Sequence, residues 1–425
     1  MSEIITAVLF GAGLRGANAY GPYALEYPDK LKFVAVAEPD PLRRERFAAD
    51  HDIPKERQFS SWEDVVARPR LADAVFNCTQ DQMHYASGMA ALEAGYNMLL
   101  EKPMTNTMAE TVQLVQTAED HGRLMQICHV LRYTPFFATL NTILQSGRLG
   151  EIVTIEHREN VAYWHMAHSF VRGNWRNQAE SSPMILAKCC HDLDILYWNL
   201  GELVRRLQSF GSLQHFRPEN APAGATVRCT DGCTVAEECP FDAHRLYLDM
   251  NNQGWPITAI NNDLSQEGRQ QALESGPYGR CVYACDNDVV DHQTVNMEFA
   301  SGVTAVLFMH GHSHEEGRTM RYDGTRATLR GSFTRSAREL EVHDHRTNRR
   351  QRIRIPEPDG SGHGGGDFGV VRSFVKAMRG ETKALTTARA SLESHLLAFA
   401  AEESRLNNSV IEMDDFRQRA DRIAS

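Results

Sequence analysis

The chain has 425 residues, of which 42% are hydrophobic and 24% charged, with a formal net charge of −10. This composition is typical of a globular protein with a packed core, and the length suffices for two domains. The negative charge disfavours binding to nucleic acid or to an anionic membrane surface.

No apolar run approaches the roughly 20 residues that a membrane-spanning helix needs. The first predicted strand begins within a few residues of the N-terminus, which leaves no room for a signal peptide. We therefore expect a cytoplasmic protein.

Strand-like and helical runs alternate from Ile4 to about Cys128, which indicates a parallel sheet covered on both faces. Gly21-Pro22 lies inside the first helical run and predicts a kink or break there. The interpretation is a dinucleotide-binding α/β domain over residues 1–130. Its predicted strands are Ile4–Phe10, Leu31–Ala37, Asp73–Asn77, Tyr96–Leu100 and Arg123–Cys128, and its predicted helices are Leu14–Leu25, Leu42–Asp50, Met83–Ala94 and Thr107–His121.

A glycine-rich turn follows the first predicted strand, with Gly11, Gly13 and Gly16 at the spacing G-x-G-x-x-G around Leu14 and Arg15. The first glycine permits a tight turn, the second lets a pyrophosphate approach the backbone, and the third lets the helix pack on the sheet. The amide groups and the positive end of the following helix would face the phosphates. A glycine turn that binds no nucleotide is the alternative.

Glu38 ends the second predicted strand about 20 residues beyond the glycine turn, where the dinucleotide fingerprint has an acidic residue. Its carboxylate would accept hydrogen bonds from the ribose hydroxyls and repel a 2′-phosphate, which favours NAD over NADP. Arg43 and Arg44 could still accommodate NADP, and a solvated loop carboxylate is the alternative interpretation of Glu38.

Polar loops at the ends of the third and fourth predicted strands are candidates for the site, because ligands of open parallel sheets lie beyond the carboxyl ends of the strands. Lys102, fixed by Pro103, can exchange a proton with a substrate hydroxyl. The alternative is a surface lysine paired with Glu101. The predicted loop residues are Cys78, Thr79, Gln80, Asp81 and His84.

After Gly150 the pattern changes to that of an α+β domain, which we place at 131–425. Alternating apolar residues with turn signals from Thr294 to Ile355 indicate antiparallel hairpins in a meander. A segment rich in Pro, Gly and Cys over about 217–286 is a candidate insertion. The other predicted elements are strands Ile152–Glu159 and Leu203–Phe216 and helices Ser182–Leu200, Asp367–Arg379 and Thr387–Asn407.

The predicted helix Ser182–Leu200 carries a polar stripe on an otherwise apolar surface. Lys188, His191 and Asp192 stand at positions i, i+3 and i+4 and share one face, so they need partners or a cavity. A buried histidine with a structural role is the alternative for His191.

Together these motifs resemble the glucose-fructose oxidoreductase and inositol dehydrogenase family, called Gfo/Idh/MocA, over nearly the whole chain. The resemblance is carried by Gly11-Ala12-Gly13-Leu14-Arg15-Gly16, by Cys78-Thr79-Gln80-Asp81 with His84, by Glu101-Lys102-Pro103 and by His191-Asp192-Leu193-Asp194.

The resemblance implies an N-terminal Rossmann domain and a C-terminal domain with an open, mainly antiparallel sheet that commonly forms a homodimer or homotetramer interface. It also implies that Lys102 contacts cofactor and substrate and that His191 is a general acid and base toward a sugar or cyclitol hydroxyl. Arg132, Trp175 and Arg176 resemble contacts to cofactor or substrate. Many family members have Asp four residues before this histidine, whereas this chain has Ala187, so Lys188 is a candidate substitute.

Five cysteines fall in the candidate insertion, at Cys229, Cys233, Cys239, Cys281 and Cys285. A metal ion bound by four thiolates would cross-link and stabilise a segment that is poor in apolar residues. Zinc is the expected ion, and an iron–sulfur cluster is a further option. Free thiols are an equally weighted alternative, and disulfides are a third.

The leading prediction is an NAD-dependent oxidoreductase acting on a secondary hydroxyl of a sugar, sugar derivative or cyclitol, with Lys102, His191 and Lys188 as candidate catalytic residues and Arg132 and Asp192 as further substrate contacts. One alternative is a redox-neutral glycosidase that retains NAD. A dinucleotide-sensing regulator without catalytic activity is an alternative from another class.

Overall fold

The computed structural model describes residues 3–360 and 362–424 and contains two β-sheets. The first sheet has six parallel strands in the order β3-β2-β1-β4-β5-β6. This is the doubly wound order, in which the strand order reverses between β1 and β4 and leaves a crevice for a ligand. The strands are β1 Ile5–Phe10, β2 Leu31–Ala37, β3 Gln58–Phe59, β4 Ala74–Asn77, β5 Asn97–Leu100 and β6 Met125–Ile127.

The second sheet has nine strands in the order β14-β13-β12-β11-β7-β10-β9-β8-β15. Only the β7–β10 pair is parallel, so the sheet is mainly antiparallel, as predicted. The strands are β7 Ile152–Ala162, β8 Val204–Ser212, β9 His292–Phe299, β10 Thr304–Ser313, β11 Gly317–Gly324, β12 Ala327–Thr334, β13 Arg338–Asp344, β14 Arg350–Ile353 and β15 Ile411–Glu412.

Helices cover both faces of the first sheet and one face of the second. None of the described helices has the length and apolar character that a bilayer span requires. The helices are α1 Gly21–Glu26, α2 Pro41–Asp50, α3 Glu63–Val66, α4 His84–Glu93, α5 Met108–Asp120, α6 Pro135–Gln145, α7 Tyr163–His165, α8 Met184–Ala187, α9 Cys190–Leu200, α10 Ala243–Tyr247, α11 Gln266–Ser275, α12 Gly366–Met378, α13 Ala388–Asn407 and α14 Met413–Ala424.

Three local predictions can be compared with these elements. The first predicted helix is a π-helix over Leu14–Tyr20 that changes to α1 at Gly21, so the change of helix at Gly21-Pro22 is confirmed. The predicted helix Ser182–Leu200 is wrong as one element, because the chain leaves helical geometry between α8 and α9. The predicted meander is also interrupted, because β7 lies between β10 and β11.

The C-terminal part of the chain returns to the first sheet through α12. Phe368, Val371 and Phe374 are buried in the same cluster as Phe33 and Phe76, and the rings of Phe76 and Phe374 lie 5.6 Å apart. The turn before α12 lies beside the glycine turn that follows β1, since His363 Nδ1 is 3.3 Å from Arg15 Nη1.

A buried ion pair joins the first sheet to α9. Arg132, just beyond β6, donates from Nε and Nη2 to the carboxylate of Asp194 at 2.7 and 2.5 Å, and both side chains are at most 4% exposed. A bidentate pair of this kind fixes the position of the helix that carries His191.

We expect Asp194→Asn to lower the free energy of unfolding by about 3 kcal/mol or more, because it leaves the buried Arg132 guanidinium without a counter-charge. The matched control is Glu119→Gln, which removes the same charge from an exposed pair with Arg389 and should cost at most about 0.5 kcal/mol. Urea denaturation followed by circular dichroism measures both values. Equal small losses would contradict this account of the pair.

Candidate active site

A cleft of about 490 Å³ opens at the carboxyl ends of the first sheet, where the strand order reverses. The glycine turn, α2 and the loops after β4 and β5 form one side, and the segments 168–175 and 255–278 form the other. Open α/β sheets bind ligands at this position.

The three glycines of the turn have the geometries that the fingerprint requires. Gly11 has φ +85°, and a Cβ there would lie 2.5 Å from the carbonyl oxygen of Cys78. A Cβ on Gly16 would lie 2.2 Å from the carbonyl oxygen of Gly11, whereas a Cβ on Gly13 would meet no atom within 4 Å. Gly13 thus leaves its backbone open to the cleft, and the turn fits a pyrophosphate.

Glu38 is held at the end of β2 beside this turn. Its carboxylate accepts hydrogen bonds from the backbone N–H groups of Ala12 at 2.7 Å and Asp40 at 3.0 Å. Arg44 turns back to donate to the carbonyl oxygen of Glu38, and Arg43 lines the cleft.

The loop after β4 lines the cleft and is held by contacts from two directions. Asn174 Nδ2 donates to Gln80 Oε1 and Trp175 Nε1 donates to Asp81 Oδ2, both at 2.9 Å. The buried His84 ring makes the second set of contacts, with Nε2 3.2 Å from the carbonyl oxygen of Thr79 and Nδ1 2.7 Å from that of Pro103. His84 therefore ties this loop to the one that carries Lys102.

Lys102 lines the cleft, and its Nζ donates to the carbonyl oxygen of Ala187 at 3.0 Å. The contact places the lysine at the end of α8, four residues before His191. The neighbouring Glu101 is buried, and although burial opposes its ionisation, Arg15 and Lys102 lower its pKa below the usual range. The ionised Glu101 in turn accepts a hydrogen bond from Arg15 Nε at 2.7 Å.

His191 is only 7% exposed, and its Nδ1 has no hydrogen-bond partner. Burial, together with the positive charge of Lys102, holds its pKa well below the ordinary value. The imidazole is therefore neutral near pH 7 and able to accept a proton. Lys102 lines the cleft, and the neutral His191 lies close enough to feel its charge, although it does not itself line the cleft. A lysine and a neutral imidazole are groups suited to moving the proton of a hydroxyl group.

The structure pairs Lys188 and Asp192 with buried groups of opposite charge. Lys188 pairs with Glu316 at 2.8 Å and Glu159 at 3.4 Å, and although burial opposes its charge, these carboxylates raise its pKa. The carboxylate of Asp192 is fully buried and is bonded by His157 Nε2 at 2.8 Å and Arg318 Nε at 2.7 Å. The catalytic role of Lys188 and the substrate contact of Asp192 stay predictions.

Arg132 and Arg176 are also paired with carboxylates and do not line the cleft. Arg132 is paired with Asp194, and Arg176 is bonded through Nε and Nη2 to Asp286 at 2.9 and 3.1 Å. Their predicted contacts with cofactor or substrate stay predictions.

The predicted zinc site is not supported. Within residues 3–360 and 362–424, no group of three or more His, Cys, Asp or Glu side chains is arranged to hold a metal ion, and the nine cysteines are free. Four of the five thiols line a small cavity beside Arg172, and the fifth, Cys285, donates from Sγ to the carbonyl oxygen of Cys281 at 3.2 Å. The free-thiol alternative agrees with this structure.

No motif or periodicity in the sequence marks several of the residues that line the cleft from the second part of the chain. Ser169 lies on a π-helix over Met166–Arg172, and Trp255, Thr258 and Tyr278 lie in the candidate insertion. Their segments show neither helical nor strand periodicity, and only the contacts between distant parts of the chain bring them to the cleft.

Comparison with known proteins agrees with this architecture. The model described as "Oxidoreductase family, NAD-binding Rossmann fold" matches residues 5–129, and "Oxidoreductase family, C-terminal alpha/beta domain" matches residues 142–413. The chain belongs to the Gfo/Idh/MocA family. It is accordingly an NAD(P)-dependent oxidoreductase, with the Rossmann and mainly antiparallel sheets that the resemblance implied.

Two curated relatives and one solved structure illustrate the similarity. Putative oxidoreductase YteT of Bacillus subtilis is 21% identical over 316 residues, 72% of each chain. Inositol 2-dehydrogenase 4 of Saccharopolyspora erythraea is 30% identical over 228 residues, 51% of this chain and 60% of the relative. An NAD-binding oxidoreductase structure from Klebsiella pneumoniae covers 97% of this chain and 99% of its own, with TM-score 0.71 and 17% identity, which shows the shared fold.

The buried charges beneath α9 should make the stability of the protein depend on pH. Among the described residues, Glu159, Asp192 and Glu316 pair with two permanent cations, Lys188 and Arg318. Burial and the neighbouring carboxylates raise the pKa of Glu159 to about 7. Between its ordinary value of 4.5 and about 7, the folded protein binds more protons here than the unfolded chain, so this group's contribution to stability falls as pH rises.

We expect the free energy of unfolding of the natural protein, relative to Glu159→Gln, to fall by up to about 1.4 kcal/mol per pH unit in that window. Denaturation at pH 5 and pH 8 measures the difference. Glu156→Gln, at a half-exposed position on the same strand, should show no such trend. A pH-independent difference for Glu159→Gln would contradict the raised pKa.

Proposed function

We propose that this chain is an NAD-dependent oxidoreductase that acts on a secondary hydroxyl of a sugar, a sugar derivative or a cyclitol. The observation that carries the proposal is the position of Lys102 at the cleft that the glycine turn borders, with the neutral His191 four residues beyond its partner Ala187. The related inositol 2-dehydrogenase supports a polyol substrate.

In this proposal the amide groups of the turn around Gly13 hold the pyrophosphate, and Glu38 accepts hydrogen bonds from the adenosine ribose. The bound nicotinamide supplies the acceptor for hydride from the substrate carbon. Lys102 orients the substrate hydroxyl, and His191 takes its proton as the carbonyl forms. Trp175 and Asn174 hold the loop after β4 at the nicotinamide end of the cleft.

The proposal also includes the domain boundaries and the oligomeric state. Residues 1–130 and 131–425 form the cofactor and substrate domains, the second with an insertion at 217–286. Two or four chains associate through the open face of the second sheet, where Phe210 on β8 is 50% exposed. Large exposed apolar side chains on a sheet face are typical of a protein interface.

We expect Lys102→Met and His191→Asn each to lower kcat/KM at least about 100-fold, because each removes a proton-transfer group from the reaction. The assay follows NADH absorbance with a panel of sugars and cyclitols, and NAD affinity is measured by calorimetry. Lys55→Met, at a lysine 82% exposed, is the control and should change neither value. Turnover of the panel by both site variants at the natural rate would overturn the assignment.

Cofactor preference is tested at Glu38. Removal of its carboxylate in Glu38→Ala should weaken NAD binding more than NADP binding, because the lost group bonds the ribose hydroxyls and repels a 2′-phosphate. Titration of each cofactor by fluorescence provides the two dissociation constants. Equal losses for both cofactors would contradict the assigned role.

A further inference from the structure

The candidate insertion crosses the dinucleotide cleft and forms part of its wall. Its residues Trp255, Thr258, Asn262 and Tyr278 line the same cleft as the glycine turn and α2. Most chains that bind a dinucleotide at a Rossmann sheet hold it with the loops of that sheet. Here a segment more than two hundred residues beyond the glycine turn and α2 also lines the cleft.

The insertion is rigidly attached on the substrate side. The ring of His168, on the π-helix Met166–Arg172, stacks on Tyr278 at 4.8 Å and contacts Trp255 edge-on at 5.4 Å, and its Nδ1 is 2.9 Å from the hydroxyl of Tyr247. Within the insertion, the buried Arg269 donates to the carbonyl oxygens of Tyr247, Asp249, Asn252 and Leu264. These bonds brace the segment that faces the cleft.

On the opposite side, the insertion reaches the adenosine end of the first sheet. Asn262 Nδ2 donates to Asp40 Oδ2 at 3.0 Å. Asp40 is the N-cap of α2 and accepts from the N–H groups of Leu42 and Arg43 through its other oxygen. It follows Glu38 by two residues, so the contact lies beside the proposed ribose site.

Two hydroxyl groups in the cleft wall are buried and have no hydrogen-bond partner. They are Thr258 Oγ1 in the insertion and Ser169 Oγ on the π-helix, and Ser169 is only 2% exposed. A buried hydroxyl without a partner costs free energy, and such groups in native proteins call for an explanation. A ligand in the cleft would supply the missing partners.

We propose that the insertion at 217–286 is a roof over the dinucleotide and that it binds the adenosine half through Thr258, held in place by the Asn262–Asp40 contact. The roof slows release of the cofactor after each turnover. The inference rests on the proposed function, because it assumes that the cleft holds NAD or NADP.

The test uses the full-length protein with ADP-ribose, which carries the adenosine half without nicotinamide, and with NADH. We expect Asn262→Asp to weaken ADP-ribose binding and to speed NADH release by about 3- to 10-fold, because it sets a carboxylate against Asp40. The matched control is Asn251→Asp, since Asn251 makes the same exposed amide bond to Asp249 at 3.0 Å but lies outside the cleft lining. Calorimetry and stopped-flow fluorescence give the two readouts.

The second variant, Thr258→Val, keeps the side-chain shape and removes the unpaired hydroxyl. We expect ADP-ribose affinity to fall about 3- to 10-fold with no loss of melting temperature, whereas a purely structural residue would leave affinity unchanged. Wild-type affinity for ADP-ribose in both variants would contradict the proposed roof. Faster NADH release without weaker ADP-ribose binding would contradict it as well. If the natural protein binds neither NAD, NADP nor ADP-ribose, the proposed function itself fails.

Discussion

The arrangement of the site depends on the guanidinium group of Arg15. From the π-helix after the glycine turn it donates to Glu101 at 2.7 Å and to Asp367, in the first turn of α12, also at 2.7 Å. The hydroxyl of Tyr20 accepts from the same group at 2.7 Å. One side chain thus joins the phosphate-binding turn, the residue preceding Lys102 and a helix from the far end of the chain. Charge-assisted bonds in a buried setting are among the strongest that a protein forms.

Buried charge also sets the position of α9. Arg132 pairs with Asp194 on one side of the helix, and Arg318 pairs with Asp192 on another. Between these two pairs lies His191, whose own Nδ1 is unpaired. The aspartate common in the family four residues earlier is replaced by Ala187, and here the backbone carbonyl of that residue receives the lysine instead. In the proposed function the proton chemistry falls to Lys102 and His191, while the carboxylates of Asp192 and Asp194 hold the helix.

The cleft draws on three widely separated parts of the chain. The first sheet contributes the glycine turn, the segment 168–175 contributes Trp175 and Ser169, and the insertion contributes Trp255 and Thr258. An insertion with few apolar residues is held by bonds to carbonyl oxygens and by aromatic stacking rather than by a large core of its own. Of its free cysteines, Cys229 packs against that small core, and Cys239, Cys281 and Cys285 pack against the large core.

The sequence alone determined five of the six strands of the first sheet, because they are short apolar runs bounded by polar loops, and the glycine turn has a stereochemical requirement at each position. The two-residue edge strand β3 was not predicted, since it is too short to show a pattern. Gly11 needs a positive φ, Gly13 an open backbone and Gly16 close packing, and all three follow from spacing. Lys102 could likewise be placed at a strand end. Local pattern is sufficient for such features, since each depends on neighbours in the chain.

Only the tertiary structure decided which charged residues face the cleft. Charged residues of the types that active sites use are paired instead with opposite charges from distant segments, as at Lys188, Asp192, Arg132 and Arg176. Spacing along the sequence does not predict those partners. The break between α8 and α9 and the roof contributed by residues 255–278 were undetermined for the same reason. Partner choice in a buried ionic network is a property of the folded chain.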